Sequence, residues 1–498
     1  MNYLAIVGVL LLAWTLFQCI SCLLVTNRSN KKLPPGPIPL PLIGNLHNIL
    51  GGQPHQSLAK LADKFGPIIS LKLGQITTVV ISSSAVAKEI IQKQDLAFSS
   101  RTIPDAIHAI NQYQFSVIWL PVDTRWRSLR KIMNTYIFSG NKLDANQHLR
   151  SQKIQDLIAY CHRCSQTRDA VSIGQVAFET SMNILSSIIF SKDVVDHYAN
   201  LGKEFKDLVC KISEESGKPN LADYYPVLKR IDPQGIRRRL SKHLNILLEQ
   251  IEGLIDERLE QRRKSSTSNS TDVLDVLLNI SQEDPQAIDR NHIERLCLDL
   301  FIAGTDTTSN TLEWAMVEIM RKPYIMDKAK AELAEVIGKG KVIEEADVIH
   351  LPYLQCIVKE TLRIHPTVPL LIRKVDQNVE ACGYFIPKDS QVIVHLWSIG
   401  RDPTIWEEPL VFKPERFWGS KIDVRGQDFE LIPFGVGRRI CPGLPLAART
   451  LSVMLGSLLN SFDWKAEGDI APEHFDVEEK FGLTLARSIP LRVIPIPL

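Results

Sequence analysis

The apolar residues along the chain fall into three kinds of pattern. Residues 3–25 carry no charged side chain, a run long enough to cross a bilayer at about 1.5 Å per helical residue. A cleaved leader has a shorter apolar core behind a basic start. Here the basic residues Arg28, Lys31 and Lys32 follow the run, which predicts one transmembrane anchor with the rest of the chain on the cytosolic side. Between residues 67 and 82 the apolar positions partly alternate and are often β-branched, and Gly74-Gln75 offers a turn, so a hairpin is predicted. Helical spacing follows over 85–94, opens again at Trp126 and dominates 147–263, with breaks at 217–219 and 232–235. Two further helices are predicted over 289–320 and 444–459, while residues 99–120 show no clear period. The sum is a mainly α chain with small β-sheets, an α+β class.

Dense proline at 33–41 cannot sustain a helix and favours stiff extended backbone, so a short spacer is expected between anchor and body. The expected division is an anchor at 1–26, a basic and proline-rich hinge at 27–46, and one body over 47–498. With 498 residues, 45% of them hydrophobic, that body can bury a large core. Nine cysteines without regular spacing are no disulfide framework, and the CxxC at Cys161 and Cys164 has no second pair, which points to a reducing compartment. A net charge of +2 argues neither for nor against a nucleic-acid partner, and none is expected. The polar stretch 264–271 reads as an exposed loop. Glycosylation sequons start at Asn27, Asn269 and Asn279, all expected to face cytosol or membrane and to stay unmodified.

Candidate chemistry is densest at 433–443, where three glycines and two prolines surround Cys441. Glycine permits tight turns and close approach to a flat ligand. Arg438 and Arg439 place positive charge nearby, and the predicted helix from Leu444 would point its N-terminus at the sulfur, so both favour a thiolate. A lone thiolate held this way suits an axial haem ligand; a Gly-rich turn around a buried structural cysteine uses the same residues. The run 303–308 breaks an otherwise strong helix with Gly304, Asp306 and clustered threonines, and local rules broken inside a strong element often mark function. A solvated face with a harmless glycine is the plainer reading. Trp126 with Arg130 and Glu360 with Arg363 share helix faces at i, i+4 and i, i+3, pairs that alone mean little.

Together these segments resemble the cytochrome P-450 family. Phe434, Gly437, Arg439 and Cys441 match its haem-ligand signature, and residues 303–307 match its oxygen-activation element. Glu360 and Arg363, with Pro414-Glu415-Arg416-Phe417, match its ExxR and PERF motifs, and Trp126 and Arg130 its WxxxR. The order is that of the family over the whole chain beyond the anchor, and the likeness is closest to plant microsomal, terpenoid-hydroxylating members. The resemblance implies a haem-thiolate fold with an N-terminal transmembrane helix, haem b as cofactor, and Cys441 as metal ligand. It implies that Trp126, Arg130 and Arg373 reach the propionates, and that Asp306 and Thr307 form an acid–alcohol pair delivering protons, with Gly304 letting oxygen and substrate approach the backbone. Glu360, Arg363 and Arg416 would form a structural network beneath the haem. The segment 99–120 would cap a cavity lined by Ile103, Phe115, Val117, Phe301, Ile302, Ala303, Val368, Leu370 and Leu371.

The implied reaction is monooxygenation of a small apolar terpenoid of geranyl type, geraniol or alternatively a geranylated phenol, at the endoplasmic reticulum membrane. Electrons would come from NADPH through NADPH–cytochrome P-450 reductase, with Arg127, Lys131 and Arg438 as docking charges. Over 365–374 the sequence departs from its relatives: Thr367 replaces a proline and a later proline is missing, which alters what lines the cavity. A haem-thiolate isomerase would dispense with the acid–alcohol pair, and a haem carrier would need neither that pair nor a lined cavity.

Overall fold

The predicted hairpin consists of strands β1 (Ile68–Leu73) and β2 (Ile76–Ile81), antiparallel from Ile68 opposite Ile81 to Leu73 opposite Ile76. Gly74, at φ 57°, closes the two-residue turn that alternation and turn chemistry predicted. The hairpin grows into a four-stranded sheet with β3 (Leu370–Lys374) and β4 (Gln391–His395), in the order β1-β2-β4-β3. Here β2 and β4 run parallel, so the chain between them must leave the sheet and return.

The computed structural model describes residues 32–195, 201–264, 272–468 and 470–498. The expected anchor at 1–26, the sequons at Asn27 and Asn269, and nearly all of the polar loop at 264–271 lie outside the described residues. Among the described residues no helix is long and apolar enough to cross a membrane. The proline-rich stretch lies on the sheet: Ser70 N–H donates to the Pro35 carbonyl at 2.8 Å, and Asn45 exchanges bonds with Lys72. Asn279 is exposed on a helix, where its side chain accepts from Arg262 at 3.0 Å.

The helices that frame the interior are α1 (Thr124–Ile132), α2 (Gln147–Thr167), α3 (Ile173–Phe190), α4 (Leu201–Gly217), α5 (Ile236–Lys264), α6 (Arg290–Arg321), α7 (Pro352–Ile364) and α8 (Leu444–Ser461). Asp289 caps α6 by accepting from His292 N–H, and the helix is buried along most of its length, as suits a central rather than a surface helix. It runs through two large apolar clusters. One, shared with α3, α4 and α5, ends on α6 at Phe301; the other, shared with α7 and α8, begins at Leu312. The gap between them on α6 contains 303–308, the stretch that breaks helical rules, and there the interior opens into a cavity. The segment without a period forms short helical turns over Asp105–Gln114, broken at 109–111.

Candidate active site

The Cys441 loop folds by backbone bonds around its glycines. Cys441 N–H donates to the Phe434 carbonyl at 2.9 Å. Gly437 has φ 64°, and a Cβ there would fall 2.5 Å from Asp95 Oδ1. The N–H groups of Gly443 and Leu444, at the start of α8, donate to the Cys441 sulfur, so the helix N-terminus does point at it. Burial pushes the Cys441 thiol up, while those N–H groups, Arg130 and Arg101 pull it down. The source of charge differs from the expectation. Arg438 is half-exposed and pairs with Asp95 at 2.8 Å, and Arg439 gives its donors to the carbonyls of Ser99 (2.8 Å), Val117 (3.4 Å) and Leu120. The cations that act on the sulfur come from distant segments because the loop's own arginines are turned away.

Arg101, Arg130, Arg373 and Arg439 all line the cavity above Cys441. Burial lowers Arg101 to about 10 and Arg439 to about 9, and it holds Arg373 well below its ordinary value, with mutual repulsion adding to the effect. None of the four forms an ion pair with an acid among the described residues. Burying cations without counter-ions is costly, and the cost disappears when an anion binds. Arg101 Nε is buried without a partner among the described residues. Arg101, Arg130 and Arg373, around a cavity with a thiol in its wall, fit a ligand bearing two carboxylates and a thiolate-accepting metal, which is what haem b presents. Trp126 also lines the cavity, but its indole N–H is committed to the Val117 carbonyl at 3.1 Å and so ties down the loop above. Arg130 donates to the Ile440 carbonyl.

On α6, Thr307 faces the cavity with its hydroxyl bonded to the Ala303 carbonyl at 2.8 Å. Asp306 is its neighbour in sequence but lies about 100° round the helix. Its carboxyl accepts from the Thr484 hydroxyl at 2.5 Å, with Asn310 and Ser213 also bonded to it. Burial raises its pKa; these bonds and the charge of Lys206 oppose the rise. Gly304 lines the cavity as expected, and its missing Cβ serves a second purpose as well. A Cβ there would meet Leu185 Cδ1 at 2.7 Å, so the glycine lets α6 pack on α3.

The cavity measures about 890 Å³. Ile103, Val117, Ile302, Ala303, Val368, Leu370 and Leu371 line it. Two expected lining residues do not. Phe301 is buried in the core and stacks on Phe190 at 5.8 Å, because position 301 faces α3. Phe115 packs edge-on against His292 at 5.1 Å, outside the cavity wall. Thr367 lines the wall, and its carbonyl accepts from Leu485 N–H at 2.8 Å, which fixes the altered segment against the C-terminal hairpin.

Below the site, Glu360 receives two bonds from Arg363 (2.7 and 2.8 Å), one from Arg416 (3.0 Å) and the Lys413 N–H (2.7 Å). The remaining donors of both arginines go to carbonyls at 400 and 407–411. Every charge there is answered, as a structural role requires. Sequence reasoning missed Arg101, Thr484, Ser213 and Lys206. Only Asn310 carried a local signal, one turn from Asp306 on the same helix face.

Comparison with known proteins gives the same answer. The cytochrome P450 family model matches residues 34–488. Geraniol 8-hydroxylase of Catharanthus roseus is 63% identical over 100% of both chains, and that of Swertia mussotii is 62% identical over 97% of both. Geranylhydroquinone 3''-hydroxylase of Arnebia euchroma is 52% identical over 100% of this chain and 99% of its own. A zebra fish cytochrome P450 solved with abiraterone shares the fold, with a TM-score of 0.74 at 22% identity, covering 89% of this chain and 100% of that one. The chain belongs to the cytochrome P450 family and is a monooxygenase of it.

Proposed function

We propose that this chain hydroxylates a terminal allylic methyl group of a geranyl-type terpenoid, with geraniol as the substrate. The observation that carries this reading is the 63% identity to geraniol 8-hydroxylase over the full length of both chains. One atom of dioxygen enters the C–H bond and the other leaves as water. Bound haem supplies the oxidant, with electrons from NADPH by way of a reductase. Cys441 would hold the iron through its sulfur, and Arg101, Arg130 and Arg373 would hold the propionates, with Arg439 bracing the wall beside them through the Ser99, Val117 and Leu120 carbonyls. The Thr307 hydroxyl keeps a proton donor at the cavity face, and Asp306 behind it sets the supply of protons from the Thr484 side. Ile302, Ala303, Val368, Leu370 and Leu371 give an apolar wall that excludes water and limits which methyl group approaches.

The chain would be anchored in the endoplasmic reticulum membrane through 1–26, with 27–46 as the connection and 47–498 as the catalytic body. The uncharged run at 3–25 supports this, and so does an apolar surface beside the place where the anchor joins. Ile38, Leu40, Ile43, Val227 and Ile231 are exposed there, and the Tyr225 hydroxyl ties the second group to the first through the Leu42 carbonyl. Arg127 and Lys131, both exposed on α1, would meet the acidic reductase; Arg438 is already paired.

The test is turnover by microsomes co-expressing the chain with a plant reductase, offered geraniol and geranylhydroquinone together with NADPH. Dominant 8-hydroxygeraniol by mass spectrometry supports the reading. Oxidation of the phenol alone would overturn it in favour of a pocket re-specified through the Thr367 segment.

A further inference from the structure

The C-terminal hairpin, Glu479–Phe481 paired with Leu485–Arg487, seats its turn against α4 and α6. Gly217 at the end of α4 meets Gly482 backbone to backbone, where a Cβ would collide. Leu483 N–H donates to the Ser213 carbonyl at 3.0 Å, and Lys480 pairs with Glu214. This seating brings the Thr484 and Ser213 hydroxyls within 3.1 Å of each other and beside the Asp306 carboxyl. All three residues are buried and all three line the cavity. Cys210 and Lys206 lie one and two turns before Ser213 on the same face of α4. Burial pushes the Cys210 thiol up to about 12, so it holds its proton, and Lys206 adds positive charge near Asp306.

The count of protons sets the direction of the bonds. An ionised Asp306 only accepts, so Thr484 spends its single hydroxyl proton there. The Thr484 oxygen then accepts from Asn310 Nδ2 at 3.4 Å and from the Ser213 hydroxyl. Donation therefore runs from Ser213 to Thr484 to Asp306. Ser216, one turn beyond Ser213, and the exposed Lys218 also line the cavity, so this wall leads towards solvent. An apolar substrate that fills the cavity displaces water from Asp306 but leaves bonds within the wall in place.

We propose that Thr484 and Ser213 are positioning residues that pass protons along the wall to Asp306 while substrate occupies the cavity. The Thr484 O–H bond breaks as its proton joins the Asp306 carboxylate, and the Ser213 proton replaces it on the Thr484 oxygen. A proton from water at the end of α4 restores Ser213, so no charge stays on either hydroxyl. This rests on the reading of Asp306 as the supplier of protons and names what refills it.

The test sets Thr484→Val, which loses the hydroxyl at nearly constant shape, against Thr484→Ser, which keeps it. In the resting holoenzyme, Asp306 is followed by the infrared carboxyl band that Asp306→Asn removes. Thr484→Val should raise the pH at which that band disappears by about one, because a bond to the ionised form is gone. With NADPH, reductase and geraniol, or geranylhydroquinone where geraniol is not oxidised, it should lower kcat by about 10²-fold. It should also enlarge the solvent deuterium isotope effect and leave KM unchanged, and Thr484→Ser should restore all of these. Ser213→Ala repeats the test should Thr484→Val fold poorly. Unchanged kcat and isotope effect in these variants overturn the relay, even where the band moves. If Asp306→Asn still loses turnover, the reading of Asp306 stands without it; if Asp306→Asn is also unaffected, both fall.

Discussion

Two groups of buried arginines lie near the catalytic cysteine, and they are built on opposite principles. Around Glu360, Arg363 and Arg416 have every donor on a carboxylate or a carbonyl. Around the cavity, Arg101, Arg130 and Arg373 have no acid to pair with among the described residues; burial lowers the pKa of all three, and repulsion from other arginines adds to it at Arg101 and Arg373. A network answered from within is architecture: it holds α7 to the segment before the cysteine loop. A network left unanswered is a binding site, its energy released only when an anion arrives. Charge alone does not distinguish the two, since both sets are cationic and buried; the count of partners does.

The largest break is at the thiol. Cys441→Ser should abolish turnover and the carbon monoxide difference band of thiolate-ligated haem, since a serine oxygen at neutral pH is not the anionic sulfur donor the site is built around. The next break separates the two arginine groups. Glu360→Gln strands Arg363 and Arg416 without a counter-charge and should destabilise the protein by about 3–5 kcal/mol in chemical denaturation, with or without haem. Arg373→Leu removes an unanswered cation, so the haem-free protein should gain about 1–2 kcal/mol while its haem dissociates faster. A loss of stability in haem-free Arg373→Leu would mean that this arginine is architecture too.

A smaller effect sharpens the roles on α6. Thr307→Ala should lower product per NADPH consumed and release hydrogen peroxide instead, with substrate affinity unchanged. Asp306→Asn should lower kcat about 10²-fold, as for loss of a positioned proton donor, because Asn keeps the Thr484 bond but cannot carry the proton. Unchanged coupling in both would remove them from proton delivery.

The proximal half of this picture was legible through the family's motifs, most of which are written locally. Glu360 and Arg363 are one helical turn apart, and the cysteine loop carries its ligand, its glycines and its capping helix within a single segment. The cavity was less legible because its groups converge from distant segments. Arg101 sits in a stretch without periodicity, and Thr484 reaches Asp306 across 178 positions of sequence. Helical phase explains the misplaced Phe301. A motif names the turn of helix that meets the cavity, but which side of it faces α3 depends on where α3 packs, and no local pattern encodes that.

The smallest effect carries the same contrast into pH dependence, through two buried acids. Burial opposes ionisation of Glu479, but bonds from His55 (2.7 Å) and Trp397 (3.1 Å) and the charge of Arg401 prevail and bring its pKa from 4.5 to about 2. Asp299 has hydroxyl, amide and backbone N–H partners but no ion pair among the described residues, and burial prevails, taking it from 3.8 to about 6. The signs are therefore opposite. Glu479 stabilises the fold fully above its unfolded value of 4.5, and that contribution is lost as pH falls towards 2. Asp299 binds its proton more tightly folded than unfolded, so stability falls as pH rises from about 4 to about 6. In thermal unfolding across that range, Asp299→Asn should gain on the wild type as pH rises, by about one to a few kcal/mol at most. Glu479→Gln should be less stable than the wild type at neutral pH and converge with it as acid is added. Parallel profiles for the two variants would show that partner chemistry does not separate these acids, and would remove the distinction between answered and unanswered charge on which the reading of the arginines depends.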